Sequence, residues 1–159
     1  MFKLIKYKLK TVYNKNFSKF HGLKEVDRKM LEYINYNNGF FIEMGAHDGI
    51  FNSNTLYYEK NLKWQGILIE PSNYFYELKK NRSNKNYYFK TVCVPFGFEK
   101  KKIQLNQYGD YSLCEDLVSK KYLNWQLNKR EKVDLIEKNY NQKIEVECTP
   151  LNNILEMVN

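Results

Sequence analysis

Three short apolar runs mark the first 94 residues of the chain as an alternation of strands and helices. The runs predict strands at Phe40–Met44, Trp64–Glu70 and Tyr87–Val94, the last ending before Pro95. The first run is almost wholly apolar, which is typical of a strand whose sheet is covered on both faces. Polar stretches separate the runs, so the order strand–helix–strand–helix–strand predicts an α/β fold with a parallel sheet.

Helices are predicted in the polar stretches that flank these strands. Apolar positions recur at helical spacing over 23–36, and Ser53 or Asn54 is suited to cap a second helix. A third helix is predicted to follow Pro71.

After residue 96 the pattern weakens. It predicts a strand over 102–105, a helix over 117–138, a strand over 143–148 and a helix over 150–158. We therefore expect a leader over 1–20 and one domain over 21–159.

Positive charge is concentrated in the leader. Residues 1–30 carry nine basic and two acidic side chains, whereas the rest of the chain carries 17 and 16. A basic leader suits anionic lipid or nucleic acid, but Arg and aromatic residues do not alternate as in single-strand binders. We expect no nucleic-acid partner. Peripheral membrane contact through 1–20 remains open beside the simpler interpretation of a solvated helix.

Cysteine usage and hydropathy indicate a cytoplasmic protein. The three cysteines lie far apart without the spacing of metal ligands, so we expect reduced thiols and no metal site. No apolar run approaches the ~20 residues that span a bilayer. Lysines interrupt the apolar residues of the leader, which makes it a poor signal peptide.

The turn after the first strand carries the candidate chemistry. Glu43 lies near the end of that strand, Gly45 and Gly49 bracket the turn, and Glu70 closes the second strand 21 residues after Gly49. In doubly wound sheets ligands bind at the carboxyl ends of the strands. There, glycine lets the backbone approach the ligand, and an acid on the second strand accepts the ribose hydroxyls. The pattern therefore predicts a site for an adenosine-bearing cofactor.

The spacing of the glycines distinguishes two such cofactors. A dinucleotide site carries G-x-G-x-x-G and holds a pyrophosphate at a helix N-terminus. This chain instead has two glycines four residues apart, with an acid two residues before the first. An acid suits S-adenosylmethionine, which carries a sulfonium and an ammonium group. An NAD-dependent oxidoreductase is the weaker alternative.

Taken together, these motifs resemble the FkbM-type methyltransferases over roughly residues 36–156. The segments that carry the resemblance are Glu43-x-Gly45-Ala46-x-Asp48-Gly49, Ser53-Asn54-Thr55, Glu59, Trp64-x-Gly66, Ile69-Glu70-Pro71, Cys93-Val94-Pro95 and Val146-x-Cys148-x-Pro150-Leu151-x-x-Ile154-Leu155. The resemblance implies a Rossmann-like class I methyltransferase domain that uses S-adenosylmethionine to methylate a hydroxyl of a sugar, glycan or small metabolite. The cofactor-binding residues that we predict are Glu43, Gly45, Ala46, His47, Asp48, Gly49, Asn54, Glu70 and Pro71. The resemblance assigns no catalytic base.

Members of that family continue into a fourth core strand, which pairs with the first strand of the sheet. This sequence ends at Asn159, where that strand is due. We therefore expect Phe40–Met44 to form a bare apolar edge. A partner chain or a second copy would complete it, or the chain is a truncated remnant that binds cofactor weakly. The main alternative function is accordingly an inactive or partner-completed binding and assembly module.

Several candidate residues also have a purely structural interpretation. His47 is more simply a solvent-facing turn residue than a base, and Asp48 is equally suited to stabilise the turn through nearby backbone. Glu43 is suited to an ion pair with a lysine of the leader. Ser53 and Thr55 are most simply residues that start a helix.

Overall fold

The computed structural model describes residues 19–108, 111–114, 117–119, 121–122 and 142–158. Nearly all of the predicted leader and most of the helix predicted over 117–138 lie outside these ranges. The described chain divides between Lys90 and Thr91 into two compact units, and the single domain over 21–159 stays a prediction. None of the described helices is long and apolar enough to cross a membrane.

The first unit is built on a parallel three-stranded sheet, as predicted. Its strands are β1 (Phe40–Met44), β2 (Gln65–Ile69) and β3 (Tyr87–Phe89), with β2 in the middle. Its helices are α1 (Val26–Met30), α2 (Leu56–Leu62) and α3 (Phe75–Asn81). Since α2 joins β1 to β2 and α3 joins β2 to β3, the predicted strand and helix order is confirmed.

The core of this unit fills one face of the sheet. Phe41 of β1 and Leu68 of β2 cluster with the aromatic side chains of Tyr57 and Tyr58 from α2, and with Leu78 of α3. β2 is buried along both faces, because its residues from Gly66 onward are all buried. The core therefore packs β2 against α2 and α3 through Leu68, near the carboxyl end of the strand.

The helix predicted over 23–36 is wrong in extent. A 3₁₀ turn precedes α1, and Lys24 and Glu25 in that turn have positive φ angles of 54° and 58°. Asp27 explains the tight geometry, since its buried carboxylate accepts the backbone N–H groups of His21 at 2.7 Å and Arg28 at 3.0 Å. A carboxylate that binds nearby backbone in this way competes with a regular helix.

The single strand predicted over 87–94 is also wrong, because the run is divided between two sheets. β3 ends at Phe89, and β4 (Val92–Val94) belongs to the second unit. Thr91 marks the change of sheet, since its hydroxyl donates to the carbonyl of Glu147 at 2.9 Å and lies 2.8 Å from the hydroxyl of Thr149. A side-chain anchor of this kind is invisible to the apolar pattern.

The second unit contains a mixed sheet that the sequence did not predict. Its strands are β4, β5 (Lys102–Tyr108), β6 (Tyr111–Cys114) and β7 (Gln142–Pro150), followed by α4 (Leu151–Glu156). The strand order is β4-β7-β5-β6, with β4 parallel to β7 and the other pairs antiparallel. The strands predicted over 102–105 and 143–148 and the final helix are confirmed, although both strands are longer than predicted.

β1 lies at an edge of the first sheet. In the described part of the chain its only strand neighbour is β2. Phe40, Ile42 and Met44 share one face of the strand, and all three side chains are exposed. The expected apolar edge is therefore present.

Candidate functional site

The turn Gly45–Gly49 is fastened to the end of the neighbouring strand. The N–H groups of Gly45 and Ala46 both donate to the carbonyl of Ile69, at 2.9 and 3.1 Å. The turn closes on itself where the Gly49 N–H donates to the Ala46 carbonyl at 2.8 Å. The turn thus lies at the carboxyl edge of the sheet, where α/β folds bind their ligands.

The two glycines of this turn serve different purposes. Both have left-handed backbone, with φ of 73° at Gly45 and 81° at Gly49. A Cβ added at Gly49 would lie 2.7 Å from Cγ of Arg82 and 2.8 Å from Cδ1 of Leu78, so packing also requires glycine there. A Cβ added at Gly45 would meet no atom within 4 Å. Gly45 therefore faces open space.

Glu70 connects this turn to the end of β2. Its carboxylate accepts the backbone N–H of His47 at 2.8 Å on one oxygen and that of Ser72 at 2.9 Å on the other. The residue is only 6% exposed. A carboxylate oxygen accepts two hydrogen bonds, so each oxygen retains the capacity to accept one more from a ligand hydroxyl.

His47 is held against aromatic rings at the same edge. Its ring centroid lies 3.7 Å from that of Tyr74 and 5.5 Å from that of Phe51. Its side chain is only 13% exposed, so the expectation of a solvent-facing residue is wrong. His47 and Tyr74 together form an aromatic wall beside the turn, and no pattern in the sequence indicated that Tyr74 belongs here.

Asp48 stabilises the turn, as its structural interpretation predicted. Its Oδ1 accepts the backbone N–H groups of Ile50 at 2.9 Å and Phe51 at 2.7 Å, and it lies 3.5 Å from Nδ1 of His47. Burial acts to raise the pKa of this carboxyl group. The hydrogen bonds from the His47 side chain and the two backbone groups outweigh it and hold the pKa below its usual 3.8.

Glu43 faces the start of α2. Its carboxylate accepts the hydroxyls of Ser53 at 3.0 Å and Thr55 at 2.5 Å, and the backbone N–H of Asn54 at 2.9 Å. Nη1 of Arg82 completes the set at 3.1 Å. Glu43 thus forms an ion pair with Arg82, whereas the leader lysines before residue 19, with which a pair was predicted, lie outside the described residues. Four protein donors already engage Glu43, so its contact with a cationic ligand stays a prediction.

Arg82 is the residue that the sequence interpretation missed. Its side chain is fully buried and joins Glu43 to Glu59, whose Oε2 accepts from Nε at 2.9 Å. It also donates to Thr55 at 2.9 Å and to Ser53 at 3.2 Å. Only three of the 26 basic residues are arginines, and that rarity was the available signal. Arginine suits buried multidentate contacts that lysine cannot make.

The predicted site residues therefore fall into two groups at the carboxyl ends of β1 and β2. One group surrounds the turn and comprises Gly45, Ala46, His47, Asp48, Gly49, Glu70 and Pro71. The other comprises Glu43 and Asn54, which belong to the hydrogen-bond network of Arg82. The predicted role of Ser53 at the start of a helix is confirmed, since its hydroxyl accepts the N–H of Leu56, the first residue of α2, at 3.1 Å.

Comparison of the chain with protein-family models, curated proteins and solved structures found no match. The resemblance to the FkbM-type methyltransferases therefore rests on the motifs quoted above.

Proposed function

We propose that this chain binds S-adenosylmethionine at the carboxyl edge of its parallel sheet and acts as a methyltransferase with a Rossmann-like domain. One observation carries the proposal. The buried carboxylate of Glu70 lies at the end of β2 and holds a turn in which Gly45 faces open space. A carboxylate of this kind beside a glycine turn is the arrangement that recognises the ribose of an adenosine-bearing cofactor.

The residues around the turn suit this cofactor. Glu70 would accept the ribose hydroxyls, and Gly45 would let the backbone approach the ligand. His47 and Tyr74 offer an aromatic surface for the adenine ring. The strand order 3-2-1 of the first sheet agrees with half of a doubly wound fold.

The cofactor would supply the methyl group as an electrophile, and the protein would contribute mainly proximity and orientation. The acceptor implied by the resemblance is a hydroxyl of a sugar, glycan or small metabolite. The Glu43 network supports this site indirectly, because Arg82 donates to the Gly49 carbonyl at 3.3 Å and so links the end of β1 to the turn.

Calorimetry with S-adenosylmethionine on the purified chain tests the proposal. Glu70→Gln removes the negative charge while keeping the size of the side chain, and we expect it to abolish measurable binding. Glu77→Gln is the matched control, since Glu77 is an exposed acid on α3 that pairs only with Lys80 in the described part of the chain. Equal affinity in the Glu70→Gln variant would refute the proposed site, as would a folded wild-type chain that fails to bind.

A second candidate function is assembly through the open edge of β1. Phe40, Ile42 and Met44 form an exposed face without charge. Antiparallel pairing of two copies about Ile42 would place Phe40 of each opposite Met44 of the other. Glu43 points to the opposite face and is neutralised by Arg82, so the pairing brings no like charges together. We therefore propose a second copy of this chain as the occupant of the edge.

Sedimentation velocity over a range of protein concentrations tests this assembly. Ile42→Lys places a charge on the edge, as natural edge strands do, and should yield a monomer at every concentration. Phe96→Lys is the matched control, because Phe96 is an exposed aromatic residue of the second unit. A wild-type chain that stays monomeric would exclude self-assembly, whereas dimers of the Ile42→Lys variant would place the interface elsewhere.

A further inference from the structure

A pocket opens at the amino ends of β1 and β2, on the edge of the sheet opposite Glu70. Its volume is about 550 Å³, which lies within the range of small-molecule sites. Lys60 of α2, Lys63 at the end of that helix and Lys85 before β3 all line it. Trp64 forms part of the wall, and its indole N–H donates to the Tyr36 carbonyl at 2.7 Å.

The pocket is strongly positive. Glu59 is its only acidic lining residue among those that the structure describes, and the protein already engages that carboxylate. It accepts Nε of Arg82 at 2.9 Å, the Ser83 N–H at 2.9 Å and the Asn86 amide at 2.6 Å. No ion pair joins any of the three lysines to an acid within the described ranges. Three cationic groups therefore line one pocket, and none of them has an ion-pair partner among the residues that the structure describes.

Helix capping alone does not explain this cluster. Lysines in the last turn of a helix interact favourably with its carbonyl groups, which accounts in part for Lys60 and Lys63. Lys85 belongs to a different segment, 22 residues after Lys63, yet lines the same pocket. The convergence of two segments indicates a ligand rather than a helix end.

Lys63 supplies an independent observation. It is the C-cap of α2 with φ of 58°, a left-handed position that glycine fills with less strain than any other residue. A lysine occupies this left-handed position, and it is one of the residues that line the pocket. Strained backbone of this kind is concentrated at functional sites.

We propose that this pocket binds a ligand with two or more phosphate groups. Lysine ammonium groups are flexible point charges that suit phosphate oxygens. The volume accommodates a diphosphate or triphosphate with an attached small group. The ligand is either a free phosphorylated molecule or the headgroup of a phospholipid, and both share this recognition chemistry. The site is separate from the proposed cofactor site and does not depend on it.

The test uses calorimetry with inorganic tripolyphosphate at low and at physiological ionic strength. Wild-type protein should bind, and the affinity should fall as salt screens the lysines. The fluorescence of Trp64, which lines the pocket, also reports binding. This measurement uses a Trp125→Phe background, because the second tryptophan of the chain would otherwise add its own signal. Cosedimentation with phosphatidylcholine vesicles containing cardiolipin, a lipid with two phosphate groups, separates a lipid headgroup from a soluble ligand.

Lys63→Gly separates binding from folding. The substitution relieves the left-handed strain, so thermal stability should rise or stay unchanged while affinity falls by roughly fivefold or more. Lys85→Gln should give a similar loss from the other segment. Lys29→Gln is the control, since Lys29 is an exposed lysine on α1 outside the pocket.

Each outcome decides the proposal. Binding of tripolyphosphate that the Lys63 and Lys85 variants lose supports a soluble ligand. Binding to vesicles alone, lost in the same variants, supports a lipid headgroup. No binding of either probe at low salt would overturn the proposal. Losses no greater than that of the Lys29 variant would overturn it as well, because net charge alone would then explain the effect.

Discussion

Two matched glycine substitutions distinguish a loss of cofactor affinity from a loss of folding stability. Gly45 and Gly97 have nearly the same backbone, with φ of 73° and 77°, and a Cβ added at either meets no atom within 4 Å. Gly45 lies in the proposed site, whereas Gly97 lies in the second unit after β4. Alanine therefore creates the same local strain at both positions and introduces no clash within the protein.

The expected losses of stability and of cofactor affinity follow from the backbone angles and from the open space at Gly45. A non-glycine residue in left-handed backbone costs roughly 1–2 kcal/mol, so both variants should lose that much stability. Only the methyl group of Gly45→Ala enters the open space above the turn. If S-adenosylmethionine occupies that space, the variant should bind it at least about tenfold more weakly, equivalent to ~1.4 kcal/mol. Gly97→Ala should bind as the wild type does.

Chemical denaturation measures the stability of both variants, and calorimetry measures their cofactor affinity. Wild-type affinity in Gly45→Ala would refute the placement of the ligand over the turn. If Gly97→Ala also lost cofactor affinity, weakened folding would explain the loss in both variants. That result would refute the reasoning as well.

Three further predictions concern the support of the site. Arg82→Met should lower the free energy of unfolding by about 3–5 kcal/mol in denaturant titrations, because it leaves two buried carboxylates unpaired, and Arg82→Lys should not restore it. Asp48→Asn should be destabilised at neutral pH. Since the pKa of Asp48 is lowered, its contribution is present above pH 3.8 and lost as the pH falls through the folded value, so the two proteins should converge in acid. Gly49→Ala combines left-handed strain with a clash, so its stability should fall by about 2–5 kcal/mol, well beyond Gly45→Ala, in the same titrations.

The apolar pattern was sufficient to predict the first sheet. β1 and β2 are short apolar runs between turns, and the helices between the strands leave a parallel arrangement as the only simple topology. The pattern failed where polar side chains decide the backbone path. Asp27 shortens the first helix by binding local N–H groups, and Thr91 divides one apolar run between two sheets. Hydrophobic periodicity carries no information about such anchors.

The second sheet could not be predicted for a related reason. β5 and β7 pair over six residues, from Lys102 with Glu147 to Gln107 with Gln142, yet they are some 40 residues apart in the chain. Pairing between distant segments depends on loop closure and side-chain packing, which a single sequence does not display. The individual strands were visible from their alternation, but their partners were not.

The two acids of the candidate site show the limit of motif reasoning most clearly. Glu43 and Glu70 both lie at the ends of apolar strands, and both were predicted to bind the cofactor, Glu43 through its cationic groups and Glu70 through its ribose. The structure distinguishes them by their donors. Glu43 meets a buried guanidinium and two hydroxyls on Oε2 and the Asn54 N–H on Oε1, whereas Glu70 meets two backbone N–H groups at the rim of the turn, one on each oxygen. The negative charge of Glu43 is therefore compensated by Arg82, a residue some 40 positions from the motif. Only the folded chain brings that residue into contact.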